Sequence, residues 1–513
     1  MTAHRLVRAA AFGLALTSLL PSRAHGAEQA RAAAHCIVEF QPEQRRVALE
    51  LHVIGESDGM SSFSVPPDWG GITDLAAQLH DVSFLDAAGQ PLAVTRVGTV
   101  GWNVAHAPAA PLVARWWLGE PQPPTVGTGN DYRPYVDDQR FHFLGNAGLL
   151  RFDPLSGEAR HSFTLEFRGC DGAGRAAACS FGAGPHVTAE ETLDTFCHAV
   201  FVGGAIRLHR RDLAGRELLL AIAGTHDFAD EQLTDLAAEI VRRERAFFDD
   251  PGDPLYVITA LPEPTKPPGS SLGGTGLTRS FALFLARGFP LTPGSDTRLR
   301  VSSLLAHELF HHWNGLLVRN RDDPEGLTYW FSEGFTEFFT RRLMVRSGIW
   351  SVRQWLAEWN RCLARFARSP VKAAPAERIV ADFWKDRDVS DLPYLRGAIV
   401  AALLDREIRA ASDGERSLDD FMRERVTAAR DGEHADTEVL LERIADWSSA
   451  EFAEQVRAIV LDGALPPLEE GDDLFGPLFR LRNVPDPERG VGATVPRLEL
   501  LPGTREEEAR AGL

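Results

Sequence analysis

Residues 301–314 read Val301-Ser302-Ser303-Leu304-Leu305-Ala306-His307-Glu308-Leu309-Phe310-His311-His312-Trp313-Asn314. Leu304, Leu305 and Leu309 recur at helical spacing and predict an amphipathic helix. In such a helix His307 and His311, four residues apart, lie about 40° from each other on one face, so both imidazoles can reach one ion. Zinc accepts neutral histidine nitrogens, and in catalytic sites it keeps one position open for water. Glu308 projects beside the pair, where it can take a proton from that water and pass it to a leaving amine. With 16 histidines in 513 residues, this pattern should arise by chance about 0.03 times in such a chain. A helix that merely carries surface histidines is therefore the weaker reading.

Two histidines leave a third ligand to find. Glu333 is the best candidate, set in Trp330-Phe331-Ser332-Glu333-Gly334-Phe335-Thr336-Glu337 with Phe338 and Phe339 beyond. A carboxylate among so many aromatics is costly to bury unless it is paired or bound to metal. Glu337, one turn later on the same face, can accept a hydrogen bond from a ligand histidine and so fix its ring. An exposed helix position is an equal alternative for Glu337. Asp322 and Asp323 are nearer in sequence but sit in a turn-like stretch and make poor ligands.

The surrounding chain has an ordinary globular composition, 44% hydrophobic and 25% charged, and its length suits two to four domains. A formal net charge of −18 argues against nucleic acid as a partner, since phosphate binding needs a basic surface. Residues 1–26 read as a signal peptide: Arg5 and Arg8, the apolar run Ala9–Leu20, then small residues with Ala24 and Gly26 at the cleavage positions. The run is shorter than the ~20 residues that span a bilayer. No stable membrane insertion is expected after cleavage, and the mature protein should be exported, periplasmic or secreted. Of five cysteines, Cys170 and Cys179 flank a Gly/Ala-rich loop and are the expected disulfide pair, with an odd thiol left over.

Residues 27–199 read as a β-rich N-terminal domain. Val47, Leu49, Leu51 and Val53 alternate with polar positions, and short runs at Val82–Leu85, Leu112–Trp117, Phe141–Leu144 and Ser162–Phe167 follow without helices between them, which suggests a sandwich. Residues 200–465 carry a strand at Glu217–Ala223, a helix at Glu231–Phe248, a buried-type strand at Leu255–Ala260, a Pro/Gly/Ser-rich loop at Leu261–Gly276, and helices from Leu299 to about Ile459. Residues 466–513 read as an extended, partly disordered tail.

His307-Glu308-x-x-His311 followed by Glu333-Gly334 resembles the gluzincin metallopeptidases. His311-His312-Trp313-Asn314 and Trp330 to Thr336 are most similar to the glycyl aminopeptidase family. Trp102-Asn103-Val104, Gly273-Gly274 and Tyr394-Leu395-Arg396-Gly397, which leads into a helix Ala398–Arg409, extend the similarity. The resemblance implies an α+β fold: an N-terminal β-sandwich-like domain, a thermolysin-like α/β catalytic domain and a C-terminal helical part. It implies that Tyr394 donates to the oxyanion of the tetrahedral intermediate, and that Gly273 and Gly274 let substrate backbone approach closely. Two departures stand out. Gly276 occupies the place where many members carry a glutamate that binds the substrate's amino group, and about 50 residues after the helices are too few for the PDZ domain that members commonly append.

The sequence thus predicts one Zn2+ per chain, bound by His307, His311 and Glu333, hydrolysing peptide bonds of peptides or proteins with Glu308 as general base and acid. Exopeptidase and endopeptidase action both remain open, as does oligomeric state. The alternative is a non-catalytic zinc-containing binding protein with a peptidase fold.

Overall fold

The computed structural model describes residues 33–119, 132–263, 266–486, 488–490 and 492–513. The expected signal segment lies outside them. The described residues form two compact units, one running up to Ala238 and joined by Pro251–Pro290, the other from Glu239–Asp250 with Leu291–Leu513.

The first unit is built on β structure. Its largest sheet has six strands, in the order His186–Glu191, His161–Arg168, Ala33–Gln41, Arg46–Ile54, Pro111–Gly119, His80–Asp86. Along Arg46–Ile54 every second side chain is buried, as the alternation of Val47, Leu49, Leu51 and Val53 dictates for a strand with one wet face. A five-stranded sheet follows, in the order Ile206–Asp212, Glu217–Ala223, Leu255–Pro262, Ser280–Leu285, Leu272–Leu277. Its three central strands run parallel. They read as continuous apolar runs because both faces are covered.

The stretch 261–276, expected as a loop, ends instead in the edge strand Leu272–Leu277, antiparallel to Ser280–Leu285. Glycine permits this. A Cβ on Gly274 would lie 2.2 Å from the Phe281 ring and 2.5 Å from the Ala282 carbonyl oxygen, so the two strands pair closely only with hydrogen there. All five cysteines are buried free thiols, so the expected Cys170–Cys179 pair is not formed. Burial pushes both thiols up, to about 11 and about 12.

The second unit is helical. Three of its helices matter for the site: the His helix Asp296–Phe310, the Glu helix Tyr329–Arg346 and the Tyr helix Arg387–Ala411. Ser295 caps the His helix by accepting from the Arg298 amide at 3.2 Å, with Asp296 in its positively polarised first turn. The Tyr helix begins eleven residues before the expected Ala398 and carries Pro393 within it. Pro393 is the seventh residue of the helix, past the first turn, so it supplies no amide to the Val389 carbonyl four residues before it.

The Glu and Tyr helices touch backbone to backbone. A Cβ on Gly334 would meet the Gly397 Cα at 2.3 Å, and one on Gly397 would meet the Trp330 carbonyl at 2.1 Å. The tail also differs from expectation. It forms an antiparallel hairpin, Phe479–Pro485 with Thr494–Leu500, and a short helix Glu506–Gly512. Asn360 holds the hairpin through both amide atoms, donating to the Leu498 carbonyl at 3.0 Å and accepting its amide at 2.6 Å. Phe479, Leu481, Val495 and Leu498 are buried. At roughly 1.5–3 kcal/mol for each buried apolar side chain, four such residues suffice to order a segment whose Pro, Gly and acidic content otherwise reads as loose.

Candidate metal centre

All the residues of the centre belong to the second unit. His307 comes from the last turn of the His helix, His311 is the residue that caps its C-terminal end, and Glu333 comes from the second turn of the Glu helix. His311 Nε2 lies 3.1 Å from His307 Nε2 and 3.4 Å from Glu333 Oε2, and His307 Nε2 lies 3.3 Å from the same oxygen. Among the described residues this is the group of three potential ligands whose atoms fall within 4.8 Å of one another. Tetrahedral zinc with bonds of about 2.0–2.1 Å separates its ligand atoms by about 3.3–3.4 Å. The triangle therefore has the edge lengths such an ion requires, and the residues fit zinc.

The far side of each imidazole explains why the near side can bind metal. His311 Nδ1 lies 3.0 Å from the Asn314 carbonyl oxygen. A carbonyl only accepts, so the proton sits on Nδ1 and the Nε2 lone pair faces the centre. Asn314 is fixed in turn. Its amide donates to the Phe331 and Ser332 carbonyls and to Thr336 Oγ1 at 3.1–3.2 Å. The chain reaches this arrangement by leaving helical geometry just after the His helix, at Asn314 (φ −96°, ψ 76°) and Gly315, whose φ of +151° suits glycine. His307 Nδ1 lies 3.0 Å from Glu337 Oε1, and Glu337 also pairs with Arg341.

The charges follow from this packing. Burial alone would depress His307, but Glu333 and Glu337 outweigh it and push the imidazolium up to about 10. Burial would raise Glu337, but Arg341 and His307 hold it down at about 2. Burial would raise Glu333 as well, yet His311 and His307 hold it far below the usual carboxylate range. Glu308 is buried at 2% exposure. Tyr394 stands over the site, its ring centroid 5.9 Å from that of His307, and its hydroxyl hydrogen-bonds Glu333. Burial first, then the charges of Glu333 and Glu308, push that hydroxyl well above its ordinary value, so it remains a proton donor.

Three further residues join the site that sequence reasoning did not single out for it. Asn314 orients His311 through a backbone atom, which no side-chain pattern announces. Glu325 hydrogen-bonds Tyr329, and burial followed by the Glu333 charge pushes it up to about 8. The four-residue spacing of Glu325, Tyr329, Glu333 and Glu337 was the available signal. Glu244, on the helix Asp230–Phe247, is fully buried with neither carboxylate oxygen hydrogen-bonded. Burial pushes it well above the carboxylate range, opposed only by His307.

Gly273 and Gly274 lie in the first unit. Their strand is at the edge of its sheet, a Cβ on Gly273 would meet nothing within 4 Å, and Tyr132 Oη donates to the Gly274 carbonyl at 2.9 Å. A sheet edge can pair with an extended backbone, and Gly273 is the one residue of this strand that is not buried.

Residues 300–389 match the M61 glycyl aminopeptidase family. The matched segment carries all three residues of the triangle, and it is the segment of a peptidase. Among solved structures, the peptidase is similar to an aminopeptidase N family protein from Idiomarina loihiensis, at 16% identity and a TM-score of 0.71, covering 84% of this chain and 77% of that one. It is also similar to an M1 zinc metallopeptidase from Deinococcus radiodurans, at 17% identity and a TM-score of 0.52, covering 86% and 95%. At these identities the likeness is one of fold: a β-rich N-terminal region followed by a helical C-terminal region in a mixed α+β peptidase.

Proposed function

We propose that this peptidase cleaves peptide bonds with one zinc ion held by His307, His311 and Glu333. The observation that carries the reading is the triangle of ligand atoms at 3.1–3.4 Å. Zinc in that triangle supplies a Lewis acid that polarises water and the scissile carbonyl. Glu308, next in sequence to His307, takes the proton of the attacking water and delivers it to the leaving amine. Tyr394 Oη, kept protonated by its surroundings, donates to the developing oxyanion. Asn314 and Glu337 hold the two imidazoles in the tautomer that presents Nε2.

The test is Glu308→Gln. The variant should bind zinc as the parent does and lose about 10²–10⁴-fold in turnover, the usual contribution of a general base. Undiminished turnover would sink the mechanism. The same assay with paired free and N-acetylated peptides separates the two modes of attack. The family match favours an aminopeptidase, whereas Gly276 in place of a glutamate favours an endopeptidase or loose specificity. The N-terminal pattern around Arg5, Arg8 and Ala9–Leu20 supports an exported enzyme, which N-terminal sequencing of the mature protein checks.

A further inference from the structure

The second unit holds a cavity of about 250 Å³, away from the metal centre along the same two helices. Arg342 lines it from the Glu helix, nine residues beyond Glu333. Asp405 lines it from the Tyr helix, eleven beyond Tyr394. At 1.5 Å per residue these are about 13 Å and 16 Å along the helix axes. The cavity is a different place from the metal centre, built on the same elements.

Its lining has two chemical halves. The indoles of Trp355 and Trp359 and the ring of Phe475 form an apolar wall, packed with centroids 4.4–6.4 Å apart. The guanidinium groups of Arg406 and Arg409 and the carboxylate of Asp473 line the cavity as well. Arg409 commits Nε to Asp405 at 3.1 Å, and Arg406 commits Nε and one terminal nitrogen to Glu407 at 3.0–3.1 Å. A guanidinium carries five N–H donors, so Arg409 retains a terminal fork suited to a carboxylate, while Arg406, whose other terminal nitrogen lies 3.8 Å from Asp472, adds positive charge beside it. Asp473, itself exposed, can accept from an ammonium.

An apolar wall, a guanidinium fork and a carboxylate together match a zwitterion with a large apolar side chain. Size narrows the class further. Sites for drug-sized molecules occupy about 300–1,000 Å³, and this cavity is smaller, so it suits one amino acid better than a peptide. We propose that the cavity binds a free amino acid with a large apolar side chain. The inference meets the proposed function at one point, since such molecules are products of peptide hydrolysis, but the binding itself needs no turnover.

Two of the wall residues are tryptophans, so occupancy should change intrinsic fluorescence. L-leucine, leucinamide (no carboxylate) and N-acetyl-leucine (no ammonium) would be titrated into the full-length protein, into His307→Ala, whose metal centre is broken, and into Arg406→Gln/Arg409→Gln. The expected result is a saturable change with L-leucine in the parent and in His307→Ala. Affinity should fall at least tenfold for leucinamide and for the double arginine variant. Because those arginines contact neighbouring acids, Asp473→Asn serves as a milder second variant that should weaken L-leucine but not N-acetyl-leucine. No saturable change up to 10 mM overturns the proposal. So does a change that persists in both cavity variants, or one lost with His307→Ala, which would place the amino acid at the metal centre. A protein that binds L-leucine in this way yet cleaves nothing would refute the peptidase reading and leave the cavity standing.

Discussion

A carboxyl with no partner in a protein interior has to stay neutral, and Glu244 is such a group. In the unfolded chain a glutamate ionises above about pH 4.3, while the folded one stays protonated well beyond that, so folding takes up a proton. The native state is therefore favoured below the unfolded pKa, and loses about 1.4 kcal/mol for each pH unit above it until the folded carboxyl itself ionises. Glu244→Gln removes this dependence. Its unfolding free energy relative to the parent should rise steadily from pH 5 to pH 7 in denaturant titrations, and a difference that stays flat would show that Glu244 is already ionised in the fold. Nothing in the sequence around Glu244 announces this. It lies 63 residues before His307, on a helix whose apolar stripe reads as plain core, and only the tertiary packing removes it from water. His307, Glu308 and His311 were legible for the opposite reason: their relation is set by local helix geometry, which spacing alone encodes.

At the scale of elements, the site depends on how closely the Glu and Tyr helices approach. Gly334 and Gly397 leave no room for a methyl group, and the atoms a Cβ would strike are backbone, which cannot rotate away. Gly397→Ala must push the helices apart at the level of Tyr394 and Glu333. Because misplacement of about 1 Å can cost 100-fold in rate, it should lower kcat by at least tenfold, and the fall in melting temperature checks that the helices have moved. Normal kcat in a stably folded Gly397→Ala would mean that Tyr394 does not depend on this contact. Further along, Arg342 bridges Asp405 of the Tyr helix and Asp419 of the helix Leu418–Arg430. Burial would raise Asp405, but Arg342 outweighs it and holds the carboxyl at about 2. Against an unfolded value of about 3.9, that shift is worth ~2.5 kcal/mol at neutral pH and about half as much by pH 3. This stability is present above about pH 4 and is lost as pH falls through 2. The penalty for Asp405→Asn should narrow accordingly between pH 6 and pH 3, as paired unfolding curves would show. Element types followed from pattern wherever one periodicity ran long, as in Arg46–Ile54. They failed where tertiary contacts decided: the Gly273–Gly274 strand exists because Ser280–Leu285 pairs with it, and the tail hairpin because Asn360 and an apolar surface hold it.

On the scale of the whole molecule, the two compact units divide the work unevenly. Every residue of the metal triangle belongs to the second, and the triangle joins two helices whose ligands stand 26 residues apart in the chain. An ion bound there stabilises the folded state by mass action, about 4 kcal/mol at a thousandfold excess over its Kd. That stabilisation should appear as slower amide exchange in the elements that carry the ligands. Chelation is therefore expected to lower the melting temperature reversibly and to speed exchange in Asp296–Phe310 and Tyr329–Arg346, while the six-stranded sheet of the first unit keeps its protection. Two variants separate a ligand from a base. Glu333→Ala should behave like the chelated protein even with zinc added, because one vertex of the triangle is gone. Glu308→Gln should keep the full zinc-dependent shift while losing turnover, because Glu308 moves a proton and holds no metal. If Glu308→Gln also lost the shift, Glu308 would be a ligand and its assignment as the base would fall. If Glu333→Ala kept it, the third ligand would have to be sought among the neighbouring carboxylates, Glu325 and Glu337.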